Sequence, residues 1–81
     1  LVETSGRTSL RNADVVVANI IAETICDLKE QLISLMQPGG FLILSGIMTG
    51  REKMIADHFK SLELCGRKDS ADWHATLYRK K

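Results

Sequence analysis

Two uninterrupted apolar runs constrain this chain more than any other feature of its sequence. The first is DVVVAN at residues 14–19, and the second is FLILS at residues 41–45. Runs of large and branched apolar residues without polar alternation are typical of strands that are buried on both faces, as in a parallel sheet. Between the two runs, apolar residues recur three or four positions apart from Ile21 to Leu35, which predicts an amphipathic helix. The sequence therefore predicts a strand–helix–strand unit.

The alternation of strands and helices continues after the second run. Residues 38–40, Pro-Gly-Gly, are predicted to end the first helix, and Thr49 and Glu52 have the spacing of a capping box at the start of a second helix. Residues 62–67 and 73–79 are predicted as two strands whose short connection requires an antiparallel hairpin. The predicted fold class is α/β: a strand–helix–strand–helix–strand–strand order in a mostly parallel sheet with an antiparallel C-terminal hairpin.

Composition and length exclude several classes of protein. Eighty-one residues set a ceiling of one domain, and the sequence has no run of about 18 apolar residues that would span a membrane. Eleven basic against ten acidic residues provide no general attraction for nucleic acid. Cys26 and Cys65 lack the spacing of a metal site, and no secretory signal is visible, so we expect reduced thiols within the core and a cytoplasmic location. Residues 1–12 show no period and are expected to be a loop or tail of an upstream part.

Ligands of open parallel sheets bind beyond the carboxyl ends of the strands. Two short segments stand at such ends, and their members are Asn19, Ile20, Ile21 and Ala22 after the first run, and Ser45, Gly46 and Ile47 at the end of the second. The amide of Asn19 can orient a polar ligand, but asparagine is also a favourable N-cap for the helix that follows. Spacing alone leaves both interpretations open.

The remaining polar and aromatic candidates are interpreted as structural. His58 lies on the apolar stripe of its helix, and no partner carboxylate for His74 is expected close in sequence, so packing is favoured over catalysis for both. Trp73 is predicted to belong to the core. Gly39 and Gly40 precede a strand, whereas a phosphate-binding glycine loop follows a strand and opens a helix, so they are predicted to form a turn.

Three motifs together carry a resemblance to a known family. DVVVANIIA at 14–22, LMQPGG at 35–40 and FLILSGI at 41–47, with a tryptophan opening the last strand, resemble the PrmA family of ribosomal protein L11 methyltransferases. The resemblance covers residues 12–81. It implies a partial Rossmann-like methyltransferase sheet, S-adenosylmethionine as cofactor, and a ribosomal protein as the partner that is methylated on lysine or N-terminal amines.

The resemblance also implies a role for each candidate residue. Asn19 would be the catalytic residue, orienting the acceptor amine together with the Ile20 carbonyl. Ile20, Ile21 and Ala22 would shape the adjoining wall, and Ser45, Gly46 and Ile47 would line the neighbouring cleft. No metal is expected.

The matching segment corresponds to the C-terminal portion of the family's catalytic domain, so residues 1–81 are assigned to that portion. The family's glycine-rich cofactor loop, its ribose-binding acid and its substrate-recognition domain precede this segment. The isolated chain is therefore expected to bind the cofactor weakly and to be inactive. Without its neighbouring strand, the apolar edge at residues 14–18 would be exposed, which predicts self-association.

Two alternatives remain open. The chain could belong to another class I methyltransferase that acts on a small molecule or a nucleic acid, or it could be a non-catalytic fragment that serves as an interaction module.

Overall fold

The structure, a computed structural model, describes residues 2–6 and 13–80. Within these two ranges the chain alternates strands and helices, which confirms the predicted mixed α/β class. The elements are β1 (Val2–Gly6), β2 (Ala13–Asn19), α1 (Ala22–Asp27), α2 (Lys29–Leu35), β3 (Met36–Met48), α3 (Glu52–His58), β4 (Glu63–Asp69) and β5 (Trp73–Arg79).

The strands form one sheet in the order β1–β2–β3–β5–β4. Strands β2 and β3 pair in parallel, whereas the other pairings within the described ranges are antiparallel. The prediction of a mostly parallel sheet is therefore wrong, although the parallel β2–β3 unit and the β4–β5 hairpin are confirmed. The reason is the position of β5: its short connection to β4 forbids a crossover, and β5 returns into the sheet between β4 and β3.

The β2 edge of the sheet is covered by β1. Val2–Gly6 pairs antiparallel with β2, from Val2 opposite Ala18 to Gly6 opposite Ala13. The expected loop or tail is therefore wrong for residues 2–6, and the expected open edge for self-association is wrong as well. An apolar strand edge with unpaired backbone groups readily recruits another strand, even one that lacks an apolar period of its own. The rest of the 1–12 prediction lies outside the described residues.

The first predicted helix is interrupted at Leu28, where φ and ψ are −95° and 8°. The interruption divides the helix into α1, with six residues, and α2, with seven. The apolar stripe continues through it, because Ile25 and Leu32 are both fully buried. Among the described residues, no helix is long and apolar enough to cross a membrane.

Helix α2 ends at Leu35, three residues before the Pro-Gly-Gly segment that was predicted to end it, and that segment belongs to β3 rather than to a separate turn. The segment forms an irregularity in the strand, because the β2–β3 register jumps from Met36 to Phe41. Gly39 has a φ of +83°, which glycine adopts without strain. Its N–H donates to the Lys80 carbonyl at 2.7 Å. The glycines thus keep β3 attached to the end of the chain while the strand changes direction.

The hydrophobic core lies between one face of the sheet and the helices. Alternate residues of β2, β3 and β5 contribute to it together with the apolar stripes of the helices, and the buried apolar residues are Val16, Ala18, Ala22, Ile25, Leu32, Met36, Leu42, Leu44, Ile47, Ile55, Phe59, Leu62 and Tyr78. Burial of each large member stabilises the fold by about 1.5–3 kcal/mol. On the other face, Val15, Val17 and Ile43 are only half-buried. The core therefore fixes the relative positions of β2 and β3, whose carboxyl ends form the candidate site.

Candidate active site

Asn19 and Ser45 lie side by side at the carboxyl ends of the two parallel strands. They are register partners in the β2–β3 pairing. The side chain of Asn19 is exposed. Helix α1 begins at Ala22 with Ile21 as its N-cap, and no side chain caps it. The interpretation of Asn19 as the cap of this helix is therefore wrong, because the residue stands two positions before the N-cap.

The Asn19 amide lies directly against Gly46. A Cβ atom at Gly46 would lie 2.8 Å from Asn19 Oδ1 and 3.6 Å from the Ile20 carbonyl oxygen. Gly46 also has a φ of +77°, a left-handed conformation that disfavours any residue with a Cβ. Two hydrogen-bond acceptors thus lie beside a position at which only glycine fits.

Asn19 and Gly46 border a cavity of ≈ 410 Å³. Its lining residues are Asn19, Ser45, Gly46, Met48 and Trp73. Three of the seven residues predicted for the site therefore meet here, because the carboxyl ends of adjacent parallel strands lie at the same edge of a sheet.

The other four predicted residues lie around the cavity without lining it. Ile20 is half-buried against the core, and its carbonyl oxygen lies beside Gly46. The side chain of Ile21 is 62% exposed, whereas Ala22 and Ile47 belong to the buried core. These placements give Ile20 a backbone contact with the site and give Ala22 and Ile47 a supporting position behind it.

Trp73 and Met48 form a wall of the cavity that the sequence did not predict. They are register partners at the ends of β5 and β3, and their side chains are 49% and 55% exposed. The prediction that Trp73 belongs to the core is therefore wrong. A strand that returns antiparallel to β3 begins where β3 ends, so the first residue of β5 necessarily reaches the carboxyl edge of the sheet. Knowledge of the β3–β5 pairing would have identified Trp73.

His74, the next residue, is 8% exposed and lies in a polar cluster. Its Nδ1 atom is 2.6 Å from Asp69 Oδ1, and its Nε2 atom is 3.2 Å from Thr49 Oγ1 and 3.3 Å from Glu52 Oε2. The expectation that His74 lacks a carboxylate nearby is wrong, because the tight hairpin returns Asp69 to the position opposite it. The imidazole thus connects β5 to β4, to α3 and to the turn before α3.

The predicted capping box at Thr49 and Glu52 is also wrong. The N-cap of α3 is Arg51, and no side chain caps the helix. The carboxylate of Glu52 instead accepts a hydrogen bond of 2.5 Å from the Gly50 N–H, while the Thr49 hydroxyl lies against His74. The two residues therefore stabilise the turn and its contact with the hairpin.

Both carboxylates of the cluster are held in their charged form. Hydrogen bonds from the backbone N–H groups of Glu52 itself and of Gly50 lower the pKa of the Glu52 carboxyl, and His74 and Arg67 lower it further. The pKa of Asp69 is lowered chiefly by its hydrogen bond with Arg67, followed by that with His74. Arg67 Nε lies 3.0 Å from Asp69 Oδ1.

The remaining candidate groups lie apart from the cavity. His58 is exposed rather than packed, and its Nδ1 atom is 2.9 Å from the Met54 carbonyl. Cys26 is half-buried, and burial raises the pKa of its thiol. Cys65 is exposed, so the expectation of a core thiol is wrong for it. In the part of the chain that the structure describes, no group of histidine, cysteine and acidic side chains is arranged to hold a metal ion.

Comparison with known proteins relates this arrangement to one family. Residues 1–81 match the family described as ribosomal protein L11 methyltransferase (PrmA). A relative named ribosomal protein L11 methyltransferase, from Campylobacter concisus, is 46% identical over 66 residues, which are 82% of this chain and 24% of the relative. Its namesake from Citrifermentans bemidjiense is 44% identical over 66 residues, which cover 82% of this chain and 22% of that protein.

A solved structure is similar to this chain in both fold and sequence. The crystal structure of a ribosomal protein L11 methylase from Lactobacillus delbrueckii subsp. bulgaricus superimposes with a TM-score of 0.76 and 31% identity, covering 84% of this chain and 37% of that one. The chain thus spans about a quarter of the length of the curated relatives that it matches. With its whole length matched by the family and its fold shared with a solved relative, the chain belongs to the ribosomal protein L11 methyltransferase (PrmA) family.

Proposed function

We propose that this chain is the C-terminal part of the catalytic domain of an S-adenosylmethionine-dependent methyltransferase, and that the complete protein methylates lysine or N-terminal amines of a ribosomal protein. The names of the relatives support methyl transfer and a ribosomal protein substrate. The observation that supports an amine as the methyl acceptor is that Asn19 Oδ1 and the Ile20 carbonyl oxygen lie together beside Gly46, at the border of the cavity.

An amine that attacks a methyl group must present its lone pair along the direction of attack. The amine's hydrogens then point away from the methyl group, where two oxygen acceptors can hold them. The Asn19 side-chain carbonyl and the Ile20 backbone carbonyl are such acceptors, and neither carries a charge. A neutral pair of acceptors orients a neutral amine without favouring its protonated form, which has no lone pair. In this proposal Asn19 is the catalytic residue, and its contribution is positioning.

The residues of the cavity fit the reacting end of the cofactor. Ser45, Gly46, Met48 and Trp73 are uncharged, and the absence of a Cβ at Gly46 lets the Asn19 amide lie against its backbone. When bound, S-adenosylmethionine supplies a methyl group on a positively charged sulfur. Met48 and Trp73 would exclude water from one side of the reacting groups. No acidic side chain among the described residues lines the cavity, so we assign the ribose contacts to the rest of the protein.

The proposal is tested with the complete protein that carries these residues. It is incubated with S-adenosylmethionine labelled in the methyl group and with ribosomal proteins, and the products are digested and sequenced by mass spectrometry. We expect the label on lysine side chains or on an N-terminal amine of one ribosomal protein. Label that appears only on nucleic acid, on a small molecule or on a carboxylate would overturn the proposal.

The contribution of the rest of the protein is tested by calorimetric titration of the 81-residue chain with S-adenosylmethionine. We expect weak binding or none, because the main cofactor contacts are assigned elsewhere. Micromolar affinity of the isolated chain would show that these residues hold the cofactor by themselves and would overturn this assignment.

A further inference from the structure

We propose that His74 is a positioning residue for the cavity: its imidazole ties the turn at residues 49–52 to the β4–β5 hairpin and thereby holds Met48 and Trp73 in place. This inference rests on the proposed function, because it assigns those two residues to the wall of the acceptor cavity. His74 itself does not line the cavity and acts through its neighbours.

The strand geometry connects the polar cluster directly to the wall. Ile47 pairs with His74, and Met48 pairs with Trp73, at consecutive positions of the β3–β5 ladder. Because side chains alternate between the two faces of a strand, the first pair points towards the helices and the second towards the cavity. His74 is accordingly buried, whereas Trp73 is half exposed. A displacement of the imidazole therefore moves the backbone that carries the tryptophan.

The wall also lies at the end of its ladder, where few contacts hold it. Beyond Met48, the Thr49 N–H donates to the Asp72 carbonyl at 3.1 Å. The side-chain contacts of His74 with Thr49 and Glu52 add a second connection between the same turn and the same hairpin. Removal of the imidazole leaves that backbone hydrogen bond and the contact of the Thr49 hydroxyl with the Ala71 carbonyl between the turn and the hairpin.

The two ring nitrogens have different tasks. A carboxylate only accepts hydrogen bonds, so Nδ1 of His74 is protonated and donates a hydrogen bond to Asp69. In the neutral ring, Nε2 accepts a hydrogen bond from the Thr49 hydroxyl. In the protonated ring, Nε2 donates towards Thr49 and Glu52, and the hydroxyl turns to the Ala71 carbonyl, which lies 3.4 Å away. One proton therefore rearranges the contact between turn and hairpin.

Charged groups face the ring from each element packed against it. Glu52 approaches from α3, and Asp69 approaches from β4 with Arg67 as its ion-pair partner. A substitution of His74 by an apolar ring deprives both carboxylates of a hydrogen-bond donor. A substitution by glutamine keeps one donor and one acceptor but cannot be protonated.

The test uses the complete protein labelled with fluorotryptophan, with the Trp73 signal assigned by its loss in Trp73→Phe. At one fixed pH, we expect the Trp73 fluorine resonance of His74→Phe to move away from its wild-type position. His74→Gln, which keeps one donor and one acceptor, should move it less. Thr76→Val is the matched control: it lies on the same face of β5, and within the described part of the chain its buried hydroxyl has no partner. Its Trp73 resonance should stay at the wild-type position.

Methyl-transfer kinetics provide the second measurement. We expect His74→Phe to lower kcat/KM for the protein substrate by about 10- to 100-fold, as small displacements in a site do, with His74→Gln recovering part of the loss. Thr76→Val should stay within about twofold. If a folded His74→Phe protein behaves like Thr76→Val in both measurements, the inference is wrong. Should His74→Phe fail to fold, Thr49→Val replaces it, because it removes a hydroxyl contact to the same ring.

Failure of the proposed function is recognised separately. If the wild-type protein transfers no methyl group to a ribosomal protein, the proposed methyl acceptor is wrong. The fluorine resonance still shows whether His74 positions Trp73. If the wild type is active but neither His74→Phe nor His74→Gln changes the Trp73 resonance, the inference about His74 is wrong and the proposed function is unaffected.

Discussion

The Oδ1 atom of Asn19 occupies the space that a side chain at Gly46 would need, 2.8 Å from the position of a Cβ atom there. The two residues belong to adjacent parallel strands and follow the same sheet edge. The orientation of the Asn19 amide therefore depends on the absence of an atom in the neighbouring strand. Two residues that are 27 positions apart in the sequence are thus coupled through the volume that they share.

Gly46→Ala is expected to reduce methyl transfer by the complete protein more than it reduces stability. An alanine in the left-handed conformation costs about 1–2 kcal/mol wherever it occurs, but at Gly46 its Cβ also displaces the Asn19 amide. Gly39→Ala is the matched control, because Gly39 has a φ of +83° and a Cβ there meets nothing within 4 Å. Denaturant unfolding and single-turnover transfer rates, measured on both variants, separate the two effects. Equal losses of transfer rate would show that backbone strain alone is responsible.

Asn19→Asp is expected to fold, to bind S-adenosylmethionine in the complete protein and to transfer methyl groups slowly. The aspartate keeps an acceptor oxygen but adds a negative charge, which favours the protonated amine that has no lone pair. Loss of about 3 kcal/mol of transition-state positioning lowers the rate by about two orders of magnitude. The rate should recover in part at higher pH, where the amine loses its proton. Single-turnover rates across pH, compared with Asn19→Ala, check this, and a rate like that of the wild type would remove Asn19 from the catalytic role.

The features that could be predicted from the sequence are those that depend on the local spacing of apolar residues. The apolar runs identify β2 and β3, and the rule that ligands bind at the carboxyl ends of parallel strands then identifies Asn19, Ser45 and Gly46. The break at Leu28 was not predictable in this way, because the apolar stripe continues on both sides of it. The spacing of apolar residues indicates which face of a helix is buried, but it does not indicate a break in the helical backbone.

The features that escaped prediction depend on long-range pairing. Trp73 and His74 reach the site region because β5 lies between β3 and β4, and no local pattern specifies that order. The position of β1 depends likewise on the edge that β2 offers. The cluster of His74 with Thr49 and Glu52 combines two segments that are more than 20 residues apart. Topology, rather than residue type, determines these contacts.

The two carboxylates that contact His74 are expected to make stability depend on acid pH. Their pKa values are lower in the folded chain than in the unfolded chain, so each stabilises the fold above its unfolded pKa, and that contribution is lost as pH falls through the folded pKa. The loss should therefore occur below about pH 4.5, under the ordinary carboxylate range. Denaturant unfolding between about pH 6 and 2 should show a shallower decline of the free energy of unfolding in Glu52→Gln and in Asp69→Asn than in the wild type.

Glu30→Gln is the control for this measurement, because Glu30 is an exposed carboxylate of α2 that forms no ion pair within the described ranges. Its decline should match that of the wild type. A decline in Asp69→Asn as steep as in the wild type would contradict the assignment of Asp69 to the acid-sensitive contacts.

Trp73→Ala is expected to impair the complete protein chiefly through substrate binding and exclusion of water. Its side chain is half exposed at the cavity, so truncation removes apolar surface from the wall without opening the core. The KM for the protein substrate should therefore rise. The free energy of unfolding should change far less than the roughly 3–5 kcal/mol that truncation of a tryptophan in a hydrophobic core costs. Trp73→Phe should retain most of the activity because it keeps an aromatic face in the wall.

Phe59→Ala is the contrasting variant, because Phe59 is fully buried and its ring centre lies 5.7 Å from that of Tyr78. It should lose stability first. The prediction is wrong if Trp73→Ala is destabilised as strongly as Phe59→Ala and the folded protein has an unchanged KM. Trp73 would then contribute to the core rather than to the cavity wall.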